Sequence, residues 1–116
     1  MPATGTLPPA SIYGTWIENV EVWDIVTDMP FELDGMQEIT LFLRWPQMGP
    51  VQTGLAELSL KKSQGQITTP ALGVIEWRAE LGAMSTLTCG LYEVILLLYD
   101  GDVTAPLMIG TVSIVG

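Results

Sequence analysis

The 116-residue chain contains no histidine, one cysteine and only four basic residues. Without histidine, the Ser–His and Cys–His nucleophile pairs of many hydrolases cannot form. The single Cys89 excludes an internal disulfide and a thiolate metal cage. Four basic residues against 13 acids give a net charge of −9. No basic surface is left to displace counterions from phosphates, which excludes nucleic acid as a partner.

Long apolar runs are also missing. The longest run, residues 94–99, is far shorter than the roughly 20 residues of a membrane-spanning helix, so we expect no membrane partner. The N-terminus lacks the basic and apolar segments of a secretory signal, which argues against secretion. Charged residues make up only 15% of the chain, against roughly 25% in ordinary soluble domains, and this favours a surface that is partly covered.

The chain does contain a repeated alternation of apolar and polar residues, which is typical of half-buried β-strands. The pattern is clearest in residues 38–45 and recurs in residues 55–61 and 74–79. The first strand, about Trp16 to Ile25, alternates less cleanly, with Trp16 on one face and Trp23 on the other. Trp45 and Trp77 fall on the apolar sides of their strands and are expected in the core.

Turn residues separate these strands at the intervals of a two-sheet sandwich. We expect one hairpin to join Leu55–Lys61 to Gln66–Thr69, and a second to join Leu91–Tyr99 to Leu107–Val115. The sequence therefore predicts an all-β, Greek-key β-sandwich of about seven strands, forming one domain over residues 15–116. Residues 1–14, with three prolines and two glycines, are predicted to be an extended or flexible arm.

Two structural details are expected near the start of the Leu91–Tyr99 strand. Gly90 stands two residues before Tyr92, which resembles a tyrosine corner, where the phenol hydroxyl bonds to backbone a few residues upstream. The alternative is that Tyr92 is simply a core aromatic residue at a strand start. Cys89 lies in an apolar context and is expected to be a buried, unreactive thiol.

The Leu91–Tyr99 strand is apolar on both faces, whereas the outer face of an isolated sandwich is normally polar. We therefore predict an interface between copies of the chain, in a homo-oligomer. Its residues are Phe42, Leu91, Ile95, Leu97, Tyr99 and Trp23. The alternative is that the arm or the Met29–Leu33 segment covers this face within one chain.

No catalytic, cofactor or metal site is predicted. Seven acids between Glu18 and Glu38 lack the spacing of a paired-carboxylate glycosidase site, and a solvated edge explains them better. Calcium is the sharper alternative for the acids, but the Asp-x-Asp-x-Asp-Gly loop pattern is missing. The calcium candidates are Asp24 and Asp28 with Asp34, or Asp100 with Asp102.

The order of motifs from Thr15 to Val115 resembles small Ig-like virion proteins of tailed bacteriophages, such as the N-terminal domain of baseplate upper proteins. The motifs are Pro30–Gly35, the Ile39–Trp45 strand, Glu57–Ser59, the Ser63–Gly65 turn, Ile75–Trp77, Glu80-Leu81, Gly90–Val94 and Ile109–Val112. That family has Pro-x-Asp-Leu-Thr-Gly before the second strand, whereas this chain has Glu-Leu-Asp-Gly at residues 32–35. The resemblance implies an Ig-like fold and no catalysis.

From this resemblance we predict a non-enzymatic structural protein of a tailed-phage particle, an adaptor or assembly subunit of the baseplate, tail tip or fibre attachment. Its partners would be other virion proteins and copies of itself, and it would join the virion in the host cytoplasm. A capsid decoration or head–neck protein is the alternative within that class. A carbohydrate-binding module, with Trp23, Tyr13 and nearby loop acids as its site, is the alternative from another class. An adhesion subunit that donates its arm as a strand would require secretion.

Overall fold

The computed structural model describes residues 7–24, 27–33, 35–45 and 58–116. Within them, seven strands have four or more residues and three have two. The strands are β1 (Ala10–Ser11), β2 (Trp16–Glu21), β3 (Trp23–Asp24), β4 (Met29–Pro30), β5 (Glu38–Arg44), β6 (Leu58–Lys61), β7 (Ile67–Ala71), β8 (Val74–Ala79), β9 (Gly90–Tyr99) and β10 (Thr104–Val115). A short helix, α1 (Leu81–Met84), precedes β9, and a 3-10 turn (Lys62–Gln64) follows β6.

The strands form two main sheets and one small hairpin. The five-stranded sheet has the order β1-β10-β9-β5-β6, and the three-stranded sheet has the order β2-β8-β7. Strands that are neighbours in these sheets are often distant in sequence, as β5 and β9 are, which is the Greek-key feature of Ig-like sandwiches. The predicted all-β, Ig-like β-sandwich is confirmed.

Alternation along the strands places large apolar side chains between the two sheets. In β9, Tyr92, Val94, Leu96 and Leu98 are all buried in this core, as their shared parity predicts. From the smaller sheet, Trp77 is fully buried and contacts Trp16 edge to face, with ring centroids 5.5 Å apart. Both tryptophans therefore serve as packing groups.

The expected hairpin between residues 55–61 and 66–69 is wrong. Strand β6 pairs with β5 in the larger sheet, whereas β7 pairs with β8 in the smaller one. The 3-10 turn between them therefore connects the two sheets. Leu60 on one side of the turn and Ile67 on the other both bury their side chains in the core that the sheets share. The second predicted hairpin is present as β9 and β10, which pair along most of their lengths.

The described part of the arm belongs to the larger sheet. Ala10 and Ser11 pair in parallel with Ile114 and Val115 of β10, and the Leu7 amide donates to the Thr111 carbonyl at 2.8 Å. Residues 1–6 of the predicted arm lie outside the described residues. The domain therefore includes sheet residues that precede residue 15.

Candidate functional site

The predicted interface residues do not form one exposed patch. Phe42 and Ile95 are neighbours on β5 and β9, and they are 0% and 1% exposed. Both lie outside the cluster that fills the space between the sheets, so they occupy the opposite face of the larger sheet. The expectation that this face is open at Phe42 and Ile95 is therefore corrected: the single chain already buries both side chains.

The other predicted interface residues are scattered. Leu97 is half-buried, while Leu91 and Tyr99 keep 46% and 37% of their surface and stand at opposite ends of β9. Trp23 belongs to the separate β3–β4 hairpin. A contact between copies through these residues stays a prediction, since a single chain does not test it.

Three of the residues predicted to be structural, Tyr92, Trp45 and Gly90, lie around the start of β9. The Tyr92 hydroxyl donates to the Thr88 carbonyl at 2.6 Å, which is the contact expected of a tyrosine corner. Trp45 is half-buried and stacks on the Tyr92 ring at a centroid distance of 4.4 Å. A Cβ on Gly90 would lie 2.8 Å from the Trp45 ring, so glycine makes room for this stack. Cys89 is exposed, contrary to expectation.

A second aromatic feature, the β3–β4 hairpin, continues the edge strand β2. Val22 is fully buried, so its neighbours Glu21 and Trp23 project to the opposite, solvent side of the chain. Trp23 pairs with Pro30 across the hairpin. A backbone bond attaches this segment to the sandwich: the Val22 amide donates to the Gly73 carbonyl at 2.7 Å. Within the segment, the Phe31 amide donates to the Val22 carbonyl at 2.8 Å.

Gly73 allows this close attachment. It has a φ of +73°, and a Cβ at this position would lie 2.6 Å from the Cβ of Pro30. Only glycine combines that backbone conformation with the close approach of Pro30. The turn between β7 and β8 therefore sets the position of the hairpin.

The Trp23 ring is oriented by a carboxylate. Its Nε1–H donates to Oε1 of Glu21 at 2.5 Å, and the indole stays only half-buried. A charge-assisted hydrogen bond of this kind holds a planar ring in one orientation. Oε2 of Glu21 forms no hydrogen bond with the described residues, so this oxygen can accept a bond from a ligand.

An open cleft lies on the same hairpin. Its described lining residues include Pro30, the strand partner of Trp23, but not Trp23 or Glu21 themselves. Its volume is about 430 Å³, within the size range of small-molecule sites. Met29, Pro30 and Phe31 give it an apolar floor, and Glu32 adds a carboxylate. Thr27 completes the described lining. Together with Trp23 and Glu21, these residues form what we call the hairpin site.

The hairpin site differs from the glycan site expected from the sequence. Tyr13 is 76% exposed, but it precedes β2, whereas Trp23 follows β2. At ~3.3 Å per residue, the strand between them separates the two aromatic residues by roughly 20 Å. Met29 and Phe31 were not expected as site residues, although the apolar run Met29-Pro30-Phe31 within an acidic stretch is the signal that marks them.

No three described Asp, Glu or Cys side chains come together as metal ligands. Asp34, one of the calcium candidates, lies outside the described residues. The Asp100 carboxylate accepts hydrogen bonds from the backbone amides of Val103 and Asp102, each at 2.9 Å, so it acts as a turn residue. The only α-helix in the described ranges has four residues, too few to span a membrane.

Comparison with known proteins finds a similarity of structure. No family model matches the sequence, and no curated protein matches it. The solved structure of the endo-β-1,4-mannanase from Thermotoga petrophila is similar, with a TM-score of 0.53 and 10% sequence identity. The matched region covers 98% of this chain and 18% of that chain, so this chain spans a small part of the mannanase. At this identity, the similarity shows a shared fold.

The predicted role as a structural protein of a tailed-phage particle is corrected by this comparison. The mannanase that shares the fold is a carbohydrate-active enzyme, and none of these findings connects the chain to a tail, a capsid or a head–neck junction. The resemblance to Ig-like virion proteins and the virion location stay untested predictions.

Proposed function

We propose that this chain is a non-catalytic carbohydrate-binding β-sandwich that holds a glycan against Trp23 of the hairpin site. The observation that carries the proposal is the accessible indole whose orientation is set by the Glu21 carboxylate. Sugar rings offer an apolar face of C–H groups to an aromatic ring and hydroxyl groups to nearby acceptors. Trp23 provides the ring, while Glu21 and Glu32 provide carboxylate acceptors.

The composition of the hairpin site supports binding rather than catalysis. The described lining of the cleft contains one carboxylate, Glu32, and Glu21 is engaged in orienting Trp23. A glycosidase needs one carboxyl group as acid and a second as base or nucleophile on opposite sides of the scissile bond. The open cleft lies on the outside of the hairpin, where a polysaccharide can pass along it. The mannanase that shares the fold acts on a polysaccharide, which is consistent with an accessory domain of this shape.

The proposal is tested by isothermal titration of the full chain with a panel of soluble polysaccharides and their hexasaccharides. We expect at least one glycan to bind, and Trp23→Ala to weaken that binding at least tenfold, which is about 1.4 kcal/mol. Tyr13→Ala is the matched control, because Tyr13 is exposed but lies beyond the far end of β2. It should bind as the unmodified chain does.

Two results would overturn the proposal. One is a panel in which no glycan binds the folded protein. The other is a Trp23→Ala variant that keeps its thermal unfolding transition and binds the same glycan with unchanged affinity.

A further inference from the structure

We infer that the hairpin site takes an uncharged glycan and selects against anionic ones, such as uronate polymers; this inference rests on the proposed function above. It follows from the distribution of charge around the site. The chain has only four basic residues, and all four are described by the structure. None of them lines the cleft.

Three of the four basic side chains have partners elsewhere. Arg44 pairs with Glu93 at 3.1 Å on the larger sheet, and Arg78 pairs with Glu80 at 2.7 Å near the start of α1. The Lys62 ammonium group donates to the Met36 carbonyl at 3.1 Å. Lys61, the fourth, lies next to the 3-10 turn and near the Glu38 carboxylate. A carboxylate or sulfate on a sugar would therefore meet no basic side chain in the hairpin site.

The hairpin carries acidic side chains where the binding of an anionic sugar would require basic ones. Glu21 lies beside the indole, Glu32 lines the cleft, and Asp28 stands in the hairpin turn between β3 and β4. Like charges within a Debye length of about 8 Å repel each other at physiological salt. The same carboxylates accept hydrogen bonds from neutral hydroxyl groups without repulsion. The site therefore combines an apolar stacking surface with acceptors suited to uncharged hexoses.

The test compares three hexamers of equal length: an uncharged mannohexaose, an oligogalacturonate and a glucosamine hexamer, at low and high salt. We expect mannohexaose to bind with little salt dependence, and the oligogalacturonate to bind at least tenfold more weakly. We also expect Glu32→Lys to strengthen galacturonate binding at least threefold. Glu80→Lys is the control, because it changes the net charge equally but lies close to Arg78, beyond the cleft.

The outcomes separate this inference from the proposed function. Galacturonate binding as tight as mannohexaose binding, with Trp23→Ala abolishing both, overturns the charge selection and leaves glycan binding intact. Tightest binding of the glucosamine hexamer, lost at high salt, also overturns it, because the site would then prefer a cationic glycan. If no glycan in the wider panel binds either, both proposals fail.

Discussion

At the scale of single residues, Tyr92 shows how one hydroxyl joins two segments. Its ring is fully buried in the core and stacks on Trp45, while its hydroxyl reaches the backbone of Thr88. The segment from α1 to β9 is thereby tied to the core at the residue where the long strand begins. The glycine-to-tyrosine spacing indicated this contact, because the geometry is local to one turn, but it left a plain core aromatic residue as the alternative.

Tyr92→Phe should lower the free energy of unfolding by about 1–1.5 kcal/mol, because the Thr88 carbonyl loses its hydroxyl donor while the ring packing remains. Chemical denaturation measures the change. The matched control is Tyr13→Phe, which removes a hydroxyl from an exposed ring and should change stability by less than about 0.5 kcal/mol. Equal effects of the two substitutions would show that the hydroxyl of Tyr92 does not stabilise the fold.

The carboxylate of Asp100 makes the stability of the β9–β10 turn depend on pH. The backbone amide of Val103, and next that of Asp102, donates to its carboxylate and lowers its pKa from the ordinary value of 3.8. A carboxylate with a lowered pKa stabilises the folded state above the unfolded pKa, and this contribution is lost as pH falls through the folded pKa.

Asp100→Asn should therefore flatten the loss of stability between about pH 5 and pH 2. Denaturation curves at several pH values provide the measurement. Asp102→Asn removes the same charge from the turn without removing those two hydrogen bonds, so it should leave the acid-induced loss in place. An unchanged pH dependence in Asp100→Asn would contradict this account.

At the scale of elements, the β3–β4 hairpin depends on the β7–β8 turn. Gly73 brings the hairpin backbone against the sandwich and so places Trp23 and the cleft on the outside. The sequence pattern indicated that Trp23 lies on the opposite face from Trp16, since strand alternation needs only parity. It did not reveal that Met29 and Phe31 join the site, because two-residue strands carry no period to detect.

Gly73→Ala should destabilise the fold by about 3 kcal/mol, since it adds left-handed backbone strain to a clash with Pro30. Gly65→Ala is the matched control, because Gly65 has a φ of +76° but a Cβ added there would meet no other atom within 4 Å. It should cost about 1 kcal/mol from backbone strain alone. Equal costs, measured by thermal unfolding, would show that the Pro30 contact does not hold the hairpin.

The prediction of secondary structure failed at the pairing of β6 and β7. Strands were predicted over residues 55–61 and 66–69, and the structure has β6 and β7 there, but the short polar segment between them suits a crossover as well as a hairpin. The outcome depends on the sheet that each strand joins, and Leu60 and Ile67 enter one common core from different sheets. Tertiary packing determines which strands pair, and the alternation within a single strand carries no information about it.

At the scale of the whole molecule, apolar residues on both sides of β9 pointed to assembly. The structure accounts for two of the predicted interface residues differently, because Phe42 and Ile95 are already buried in the single chain. Alternation identifies the face that a side chain occupies, but only the complete fold shows whether that face is covered.

Phe42→Ala should therefore destabilise the isolated chain by about 3–5 kcal/mol, as expected for a buried aromatic residue. The loss should be the same at low and high protein concentration. Leu91→Ala, at a position that is 46% exposed, should cost less than about 1 kcal/mol. A Phe42→Ala variant of normal monomer stability but altered mass by light scattering would place Phe42 in a contact between copies instead.

The central claim, that Trp23 receives a glycan, has a direct test in the indole N–H resonances of the four tryptophans. Each indole gives one signal in a ¹⁵N-correlated NMR spectrum, and the Nε1–H of Trp23 is the one bonded to Glu21. Those of Trp16 and Trp77 are buried with no hydrogen-bond partner in the part of the chain that the structure describes, and they serve as internal controls. Titration with a binding hexasaccharide should shift the Trp23 signal and leave the Trp16 and Trp77 signals in place. A glycan that binds without moving the Trp23 signal would contradict the account.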